Sequence, residues 1–363
     1  MRTIKSSFLI TLICLSLSGL AQSDFFNNTA VNVGFHQGAL LPEYQFINYL
    51  SQDYTRSFDL SFVKETTGNN SWEQIYNYPS FGFSFFYSTL GNDDVFGQEY
   101  AFTPFFRINL LNRPKFKIYN QTGLGFGYVT KKFDLVDNYQ NVAVGSHGNF
   151  HFNVRIGTKI QLFQNASLLA GVSLDHFSNA NTSEPNLGLN YLSYFFGLEI
   201  PLGKKDELLK NELPPKEKVI QNELIYSFGG KHSRSLSSKY YFTSSLSFEK
   251  RKSFFRALHL GIGADLFYDT SIKNQLEGNS ETFKSYYKFQ TGLHISQSII
   301  YDKFSFTLQE GIYLGLTERV EKYVMYNRGI IKYWVTDQFS VRLSMKSHLH
   351  ILDYPEIGIG IKL

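Results

Sequence analysis

Alternation with a period of two runs through the chain from Thr29 to Leu363 and limits what it can fold into. Phe81, Phe83, Phe85 and Tyr87 fall on one face of an extended segment, with Ser80, Gly82 and Ser84 on the other. Leu258, Leu260, Ile262, Ala264 and Leu266 alternate with His259, Gly261, Gly263 and Asp265. Ile357, Ile359, Ile361 and Leu363 alternate with Glu356, Gly358, Gly360 and Lys362. Successive side chains of a strand point to opposite faces, so each segment predicts a strand with one apolar and one small or polar face. A soluble sandwich would bury the apolar face. A membrane barrel turns that face to lipid and lines its interior with the polar one. The segments run about 9–14 residues, longer than ordinary soluble strands and enough to cross a bilayer at a tilt. Tyr and Phe recur near segment ends, where interfacial girdles sit. An all-β fold is therefore expected, a transmembrane antiparallel β-barrel.

Aromatic residues make up 17% of the chain and charged residues 18%, with mean hydropathy −0.20. So many aromatics exclude a disordered chain. After residue 22 no run approaches the roughly 18 consecutive apolar residues of a spanning helix, which excludes a polytopic helical membrane protein. The N-terminus carries a separate signal. Arg2 and Lys5 precede an apolar core from Ser7 to Leu17, and Gly19-Leu20-Ala21 fits a cleavage site before Gln22. The pattern predicts a secretory signal peptide over residues 1–21, removed near Ala21. The single cysteine, Cys14, lies inside it, so the mature chain is expected to have neither disulfides nor thiol chemistry. The net charge of +4 falls by two with that leader. Such a chain gives no argument for nucleic-acid binding.

Strands are expected near 29–41, 56–67, 79–91, 95–111, 116–133, 149–163, 166–179 and 189–201. A second set is expected near 220–233, 238–252, 256–270, 285–301, 303–319, 324–336, 338–351 and 355–363. Between the sets, Gly203-Lys204-Lys205-Asp206-Glu207 runs to Pro214-Pro215-Lys216-Glu217-Lys218 without a strand pattern and reads as a linker. The halves echo each other. Phe152-Asn153-Val154-Arg155-Ile156-Gly157 resembles Tyr326-Asn327-Arg328-Gly329-Ile330, and Gly197-Leu198-Glu199-Ile200 resembles Gly360-Ile361-Lys362-Leu363. Two tandem eight-stranded barrels or one sixteen-stranded barrel fit this count. An even-stranded barrel has both ends on the periplasmic side, where turns are short. The linker is longer than such a turn, which favours two barrels. The expected layout is a signal peptide at 1–21, an eight-stranded barrel at 22–202, a periplasmic linker at 203–218 and a second eight-stranded barrel at 219–363. The expected location is the bacterial outer membrane.

The seventh strand carries the candidate chemistry. Leu168, Ala170, Val172 and Leu174 form its apolar face, and His176 and Ser178 continue that row. Gly171, Ser173, Asp175 and Phe177 lie on the other face. Residues two apart on one face lie about 7 Å apart, within reach of a hydrogen bond through an imidazole. Ionisable groups facing lipid are costly, and a His–Ser pair is the minimum for an activated hydroxyl nucleophile. The plain alternative is a pair of interfacial polar residues. If the first strand leaves the periplasm, odd strands run outward and the pair sits at the outer leaflet. The following loop turns at Pro185-Asn186-Leu187-Gly188. Asn190 then begins the apolar face of strand eight, with Leu192, Tyr194, Phe196 and Leu198. That parity places Asn190 beside His176 across the hairpin, as the third polar group that would fix the imidazole.

His176-Phe177-Ser178-Asn179-Ala180, followed by Pro185-Asn186-Leu187-Gly188, resembles the HxSN signature of outer-membrane lipid A 3-O-deacylases of the PagL type. It is similar above all to the larger PagL-like acyloxyacyl-hydrolase proteins of Gram-negative bacteria. The resemblance covers Asn27 to Leu202, is strongest from Gly145 to Gly197, and has support from Trp72 to Phe83. It implies that His176 and Ser178 are catalytic and that the partner is lipid A, or lipopolysaccharide, of the outer leaflet. The family's third catalytic residue is a Glu just after the turn glycine. Asn190 stands at that position here, a departure, and Glu184 in the loop is the other candidate. Asn179 and backbone N–H groups near Ala180 are implied for the oxyanion hole, with Asn181 and Gly188 as further substrate or oxyanion contacts. The implied reaction is acyl-ester hydrolysis, with no metal or cofactor required.

The second half lacks this pattern. Phe339, Val341, Leu343, Met345, Ser347 and Leu349 form the apolar face of its corresponding strand, with His348 and His350 on the inward face. Their spacing suits a metal, but no third ligand is evident, which favours histidines that line the lumen. Asp265 and Asp269 are expected to point inward and pair with Lys or Arg. The second barrel therefore reads as non-catalytic. Two other functions stay open, a structural or binding barrel with a relic site and a sixteen-stranded porin. Homodimerisation is left open as well.

Overall fold

The computed structural model describes residues 24–41, 45–180, 182–213, 220–232, 239–278, 280–315, 323–348 and 351–363. The expected signal peptide lies outside the described residues. The first eight strands are β1 (Thr29–Leu40), β2 (Thr55–Glu65), β3 (Ser80–Thr89), β4 (Gln98–Asn112), β5 (Phe116–Val129), β6 (Gly148–Phe163), β7 (Ala166–Ser178) and β8 (Leu189–Pro201). The next eight are β9 (Ile220–His232), β10 (Tyr240–Ser253), β11 (His259–Asp269), β12 (Phe289–Tyr301), β13 (Phe304–Leu314), β14 (Met325–Trp334), β15 (Phe339–His348) and β16 (Ile351–Lys362).

Each set of eight closes on itself. β1 pairs antiparallel with β8 from Ala30↔Pro201 to Leu40↔Tyr191. β9 pairs antiparallel with β16 from Glu356↔Gly229 to Lys362↔Glu223. A single sixteen-stranded barrel would need the edge groups of β1, β8, β9 and β16 for pairing between the halves. Those groups are already taken up within each half, so the sixteen-stranded alternative, and the porin built on it, is corrected to two closed barrels.

Strand parity explains the two surfaces. Phe81, Phe83 and Phe85 of β3 are exposed, whereas Ser80, Ser84 and Ser88 are buried. Phe83 packs on Phe62, Phe85 and Phe102 at ring distances of 5.2, 5.9 and 5.6 Å, a lipid-facing aromatic ladder. The interiors are filled by charged side chains that meet across the barrel. Arg155 on β6 lies 3.1 Å from Asp59, and Arg107 lies 3.4 Å from Glu199. In the second barrel Arg328 lies 2.9 Å from Asp265 and 3.0 Å from Glu356. Lys231 lies 2.8 Å from Asp269. Charges removed from water are tolerated when paired in this way.

One inward region departs from parity. Leu40, Phe86, Leu90, Phe96, Val129 and Phe177 form an apolar cluster that closes one end of the first barrel. Ile47, Val95 and Val144, from the connections that fold over that end, join it. These connections exclude water, so inward positions there are apolar rather than polar, and aromatics are not confined to the lipid face.

Connection length orients the first barrel. Residues 113–115 and 164–165 make short turns at one end, which also carries the longer connection 66–79, whereas 41–54, 90–97, 130–147 and 179–188 are all longer connections at the other. Short turns belong to the periplasmic side, so odd strands run outward. The segment read as a linker starts as a strap on the end that carries the short turns. Asn28 N–H donates to Lys204 O at 2.8 Å, Leu209 N–H to Thr67 O at 2.8 Å, and Tyr78 O–H to Leu209 O at 2.8 Å. Residues 214–219 lie outside the described residues.

Candidate active site

β7 delivers the site by parity. Val172 and Leu174 are exposed while Ser173, Asp175 and Phe177 are buried. His176 and Ser178 therefore emerge on the outer wall at the outer end of the strand. β8 pairs with β7 so that Asn190 stands opposite His176. The three side chains form one hydrogen-bonded row. Asn190 Oδ1 lies 2.7 Å from His176 Nδ1, and His176 Nε2 lies 3.0 Å from Ser178 Oγ. An amide oxygen only accepts, so Nδ1 carries the proton and donates. Nε2 then keeps its lone pair and accepts from the Ser178 hydroxyl, the tautomer a hydroxyl nucleophile requires.

Ser178 is only 8% exposed although its strand face looks outward. The loop after β7 closes on it. A Cβ at Gly188 would lie 2.9 Å from His176 Cε1 and 3.6 Å from Ser178 Cβ, and the Gly188 φ is +72°. Only glycine enters that backbone region freely while approaching the ring so closely. Gly188 was expected among the oxyanion or substrate contacts, but its N–H donates to Ala143 O at 2.9 Å. The Asn179 N–H likewise donates to Asn186 Oδ1 at 2.9 Å. Both backbone groups donate within the protein. Ala180 follows in the left-handed region, with φ 54°. Asn181 lies outside the described residues. Glu184 is exposed, and its backbone carbonyl approaches Gly145. Asn190, not Glu184, fills the Nδ1 side of the imidazole.

Two features beside the row were not found in the sequence. On β6, Phe152 stands opposite His176 and Phe150 opposite Ser178, and the Phe150 ring lies 5.3 Å from Phe126. This gives the site an apolar flank. Behind it, Phe177 stacks on His151 at 4.5 Å. His151 Nε2 lies 3.2 Å from Asp175 Oδ1 and Nδ1 lies 2.8 Å from Thr103 Oγ1. Their shared inward parity is the available signal, but it needs the pairing of β4, β6 and β7 before it says anything.

The second barrel shows a different arrangement at the matching strand. His348 is buried, with Nε2 2.8 Å from Tyr313 Oη and Nδ1 3.9 Å from Asp353. His350 lies outside the described residues. Among the described residues no three His, Cys, Asp or Glu side chains gather as a metal-ligand set.

Comparison with known proteins adds two family models. One, described as lipid A 3-O-deacylase (PagL), matches residues 56–199. The other, described as the C-terminal domain of acyloxyacyl hydrolase, matches residues 220–363. Among solved structures, the outer membrane enzyme PagL is 20% identical over 47% of this chain and 99% of its own, with TM-score 0.33. Neisserial surface protein A is 12% identical over 48% of this chain and 97% of its own, with TM-score 0.34. Omp33, an outer membrane protein of Acinetobacter baumannii, is 9% identical over 92% of this chain and 96% of its own, with TM-score 0.17. No curated protein matches. With one model on each barrel, the chain belongs to the PagL-type lipid A 3-O-deacylase and acyloxyacyl-hydrolase-like family of outer-membrane proteins.

Proposed function

We propose that the chain, with its leader removed near Ala21, hydrolyses an ester-linked acyl chain of lipid A in the outer leaflet. The observation that carries this reading is the Asn190–His176–Ser178 row on the lipid-facing wall. Ser178 Oγ attacks the ester carbonyl as His176 Nε2 takes its proton. The tetrahedral intermediate collapses, and His176 returns that proton to the leaving sugar hydroxyl. Water then attacks the acyl-serine with His176 as base, the acyl–Oγ bond breaks, His176 returns the proton to Ser178 Oγ, and the fatty acid leaves. The Ala180 N–H and the Asn179 side chain are the proposed oxyanion donors. Phe150 and Phe152 flank the ester on the outer wall.

The test is the mass of lipid A from a host expressing the full chain, compared with Ser178→Ala. Loss of one acyl chain is expected with the native sequence and none with the variant. Unchanged lipid A in both, with the protein folded in the membrane, rejects the hydrolase. Asn190 at the family's Glu position favours a second reading, a structural or binding barrel with a relic site. That reading predicts the unchanged lipid A.

A further inference from the structure

At the end of the first barrel opposite Ser178, cations outnumber carboxylates. Glu65 meets Lys117 at 3.1 Å, Lys159 at 2.8 Å and Lys205 at 3.0 Å. Glu199 meets Lys159 and, at 3.4 Å, Arg107. Four cations share two carboxylates. The Lys117 and Lys159 side chains keep only 12% and 13% of their exposure. Both carboxylates and the three lysines line a cavity of about 90 Å³, to whose wall Lys115 and Lys204 also belong. Asp206 is outside that wall and accepts from Asn28 Nδ2 at 2.6 Å. Ammonium groups held close together and partly out of water repel one another, and an anion in the cavity would offset that repulsion.

Height points to the source of the anion. Lys159 stands opposite Leu169 on β7. From Leu169 to Ser178 the strand covers roughly 30 Å, which at a tilt of about 40° is roughly 23 Å of height. The apolar band of an outer-membrane barrel is about 25 Å tall. With Ser178 at the outer leaflet, the lysines stand at the headgroup level of the inner leaflet. The adjoining outer wall is apolar, with Phe116, Ile160 and Leu162 exposed. Compact ammonium groups suit phosphate oxygens, and basic pockets at the membrane surface hold anionic headgroups.

From these observations we infer that the periplasmic mouth of the first barrel binds the phosphate of an anionic phospholipid of the inner leaflet. Lys117, Lys159 and Lys205 hold the phosphate, and Lys115 and Lys204 guide it from the rim. This binding is independent of the Ser178 chemistry.

The test is isothermal titration calorimetry on the full mature chain folded in nonionic detergent. Three probes are used: dihexanoyl phosphatidylglycerol, dihexanoylglycerol, which lacks the phosphate, and inorganic phosphate. Saturable binding of phosphatidylglycerol is expected, with none of dihexanoylglycerol. Lys205→Gln and the double variant Lys115→Gln/Lys204→Gln alter exposed side chains. The double variant should lower affinity by about tenfold or more, and Lys205→Gln should lower it as well. A heat-dependent shift in electrophoretic mobility reports that each variant is folded. Binding of inorganic phosphate in competition with the lipid supports the site and makes free phosphate a sufficient ligand. Lipid binding without such competition supports the site and requires the whole headgroup. Absence of phosphatidylglycerol binding, equal binding of dihexanoylglycerol, or unchanged affinity in both variants overturns the inference.

Discussion

Asn190 sets the chemistry of the row. Its amide oxygen fixes the tautomer of His176 by accepting from Nδ1 at 2.7 Å. In the proposed mechanism it brings no charge to the imidazolium formed as Ser178 gives up its proton, whereas a carboxylate would. If the proposed hydrolysis holds, Asn190→Glu should raise turnover. Asn190→Leu removes the acceptor and frees the ring to rotate, and should lower turnover by about 10²-fold or more. Acyl release from purified lipopolysaccharide, normalised to folded protein, measures both. Equal rates in all three proteins would remove Asn190 from the mechanism. His176, Ser178 and Asn190 were legible as neighbours because each sits on a strand, where parity fixes the face. The approach of Gly188 to the ring was not legible, nor was the use of the Asn179 N–H by Asn186. Both depend on loop geometry, which has no period.

β7 works on both its faces at once. Outward it presents His176 and Ser178, and inward it anchors through Phe177, which is fully buried against His151. Phe177→Ala would leave a cavity within a closed apolar cluster and should destabilise the first barrel by about 3 kcal/mol. Leu174→Ala, on the lipid face, should cost less because lipid tails refill the space. Equilibrium unfolding by denaturant in detergent, compared for the two variants, checks the order. Equal losses would show that the inward anchor is not special. Strands were readable because an apolar row facing lipid repeats at every second residue, and their edges were less so. The fourth strand was expected near 95 but starts at Gln98, because Asn92 Oδ1 accepts from the N–H groups of Asp94 and Val95 and holds a turn. The fifth was expected to reach 133 but ends at Val129. The helices Gln45–Leu50 and Ser71–Ile75 were missed, since so few residues cannot display a helical period.

At the scale of the molecule, one architecture is used twice with different linings. Arg155 and Arg328 both lie on the sixth strand of their barrel and both meet carboxylates inside it. The repeated motif around each arginine was visible in the sequence. Closure into two barrels was favoured there by the length of the linker alone, because sixteen strands in order are compatible with one wide ring or two narrow ones, and the pairing of β1 with β8 and β9 with β16 decides. That choice has a measurable consequence. A sixteen-stranded ring leaves an aqueous channel, whereas eight strands enclose a space that side chains fill. In the second barrel Arg251, Arg328 and Lys346 are among the largest fully buried side chains, and each is held by a carboxylate. An ion crossing this barrel would have to break pairs such as Arg328–Asp265, leaving charges uncompensated in a medium that solvates them poorly. The first barrel is obstructed differently, by the apolar cluster at its outer end and the lysine–glutamate contacts at its inner end. The full chain reconstituted in planar bilayers should therefore show no sustained porin-like conductance steps at moderate voltage. Steady open-channel current from folded protein would mean that one of these interiors opens, and that the charged lining is a path for ions rather than a filling.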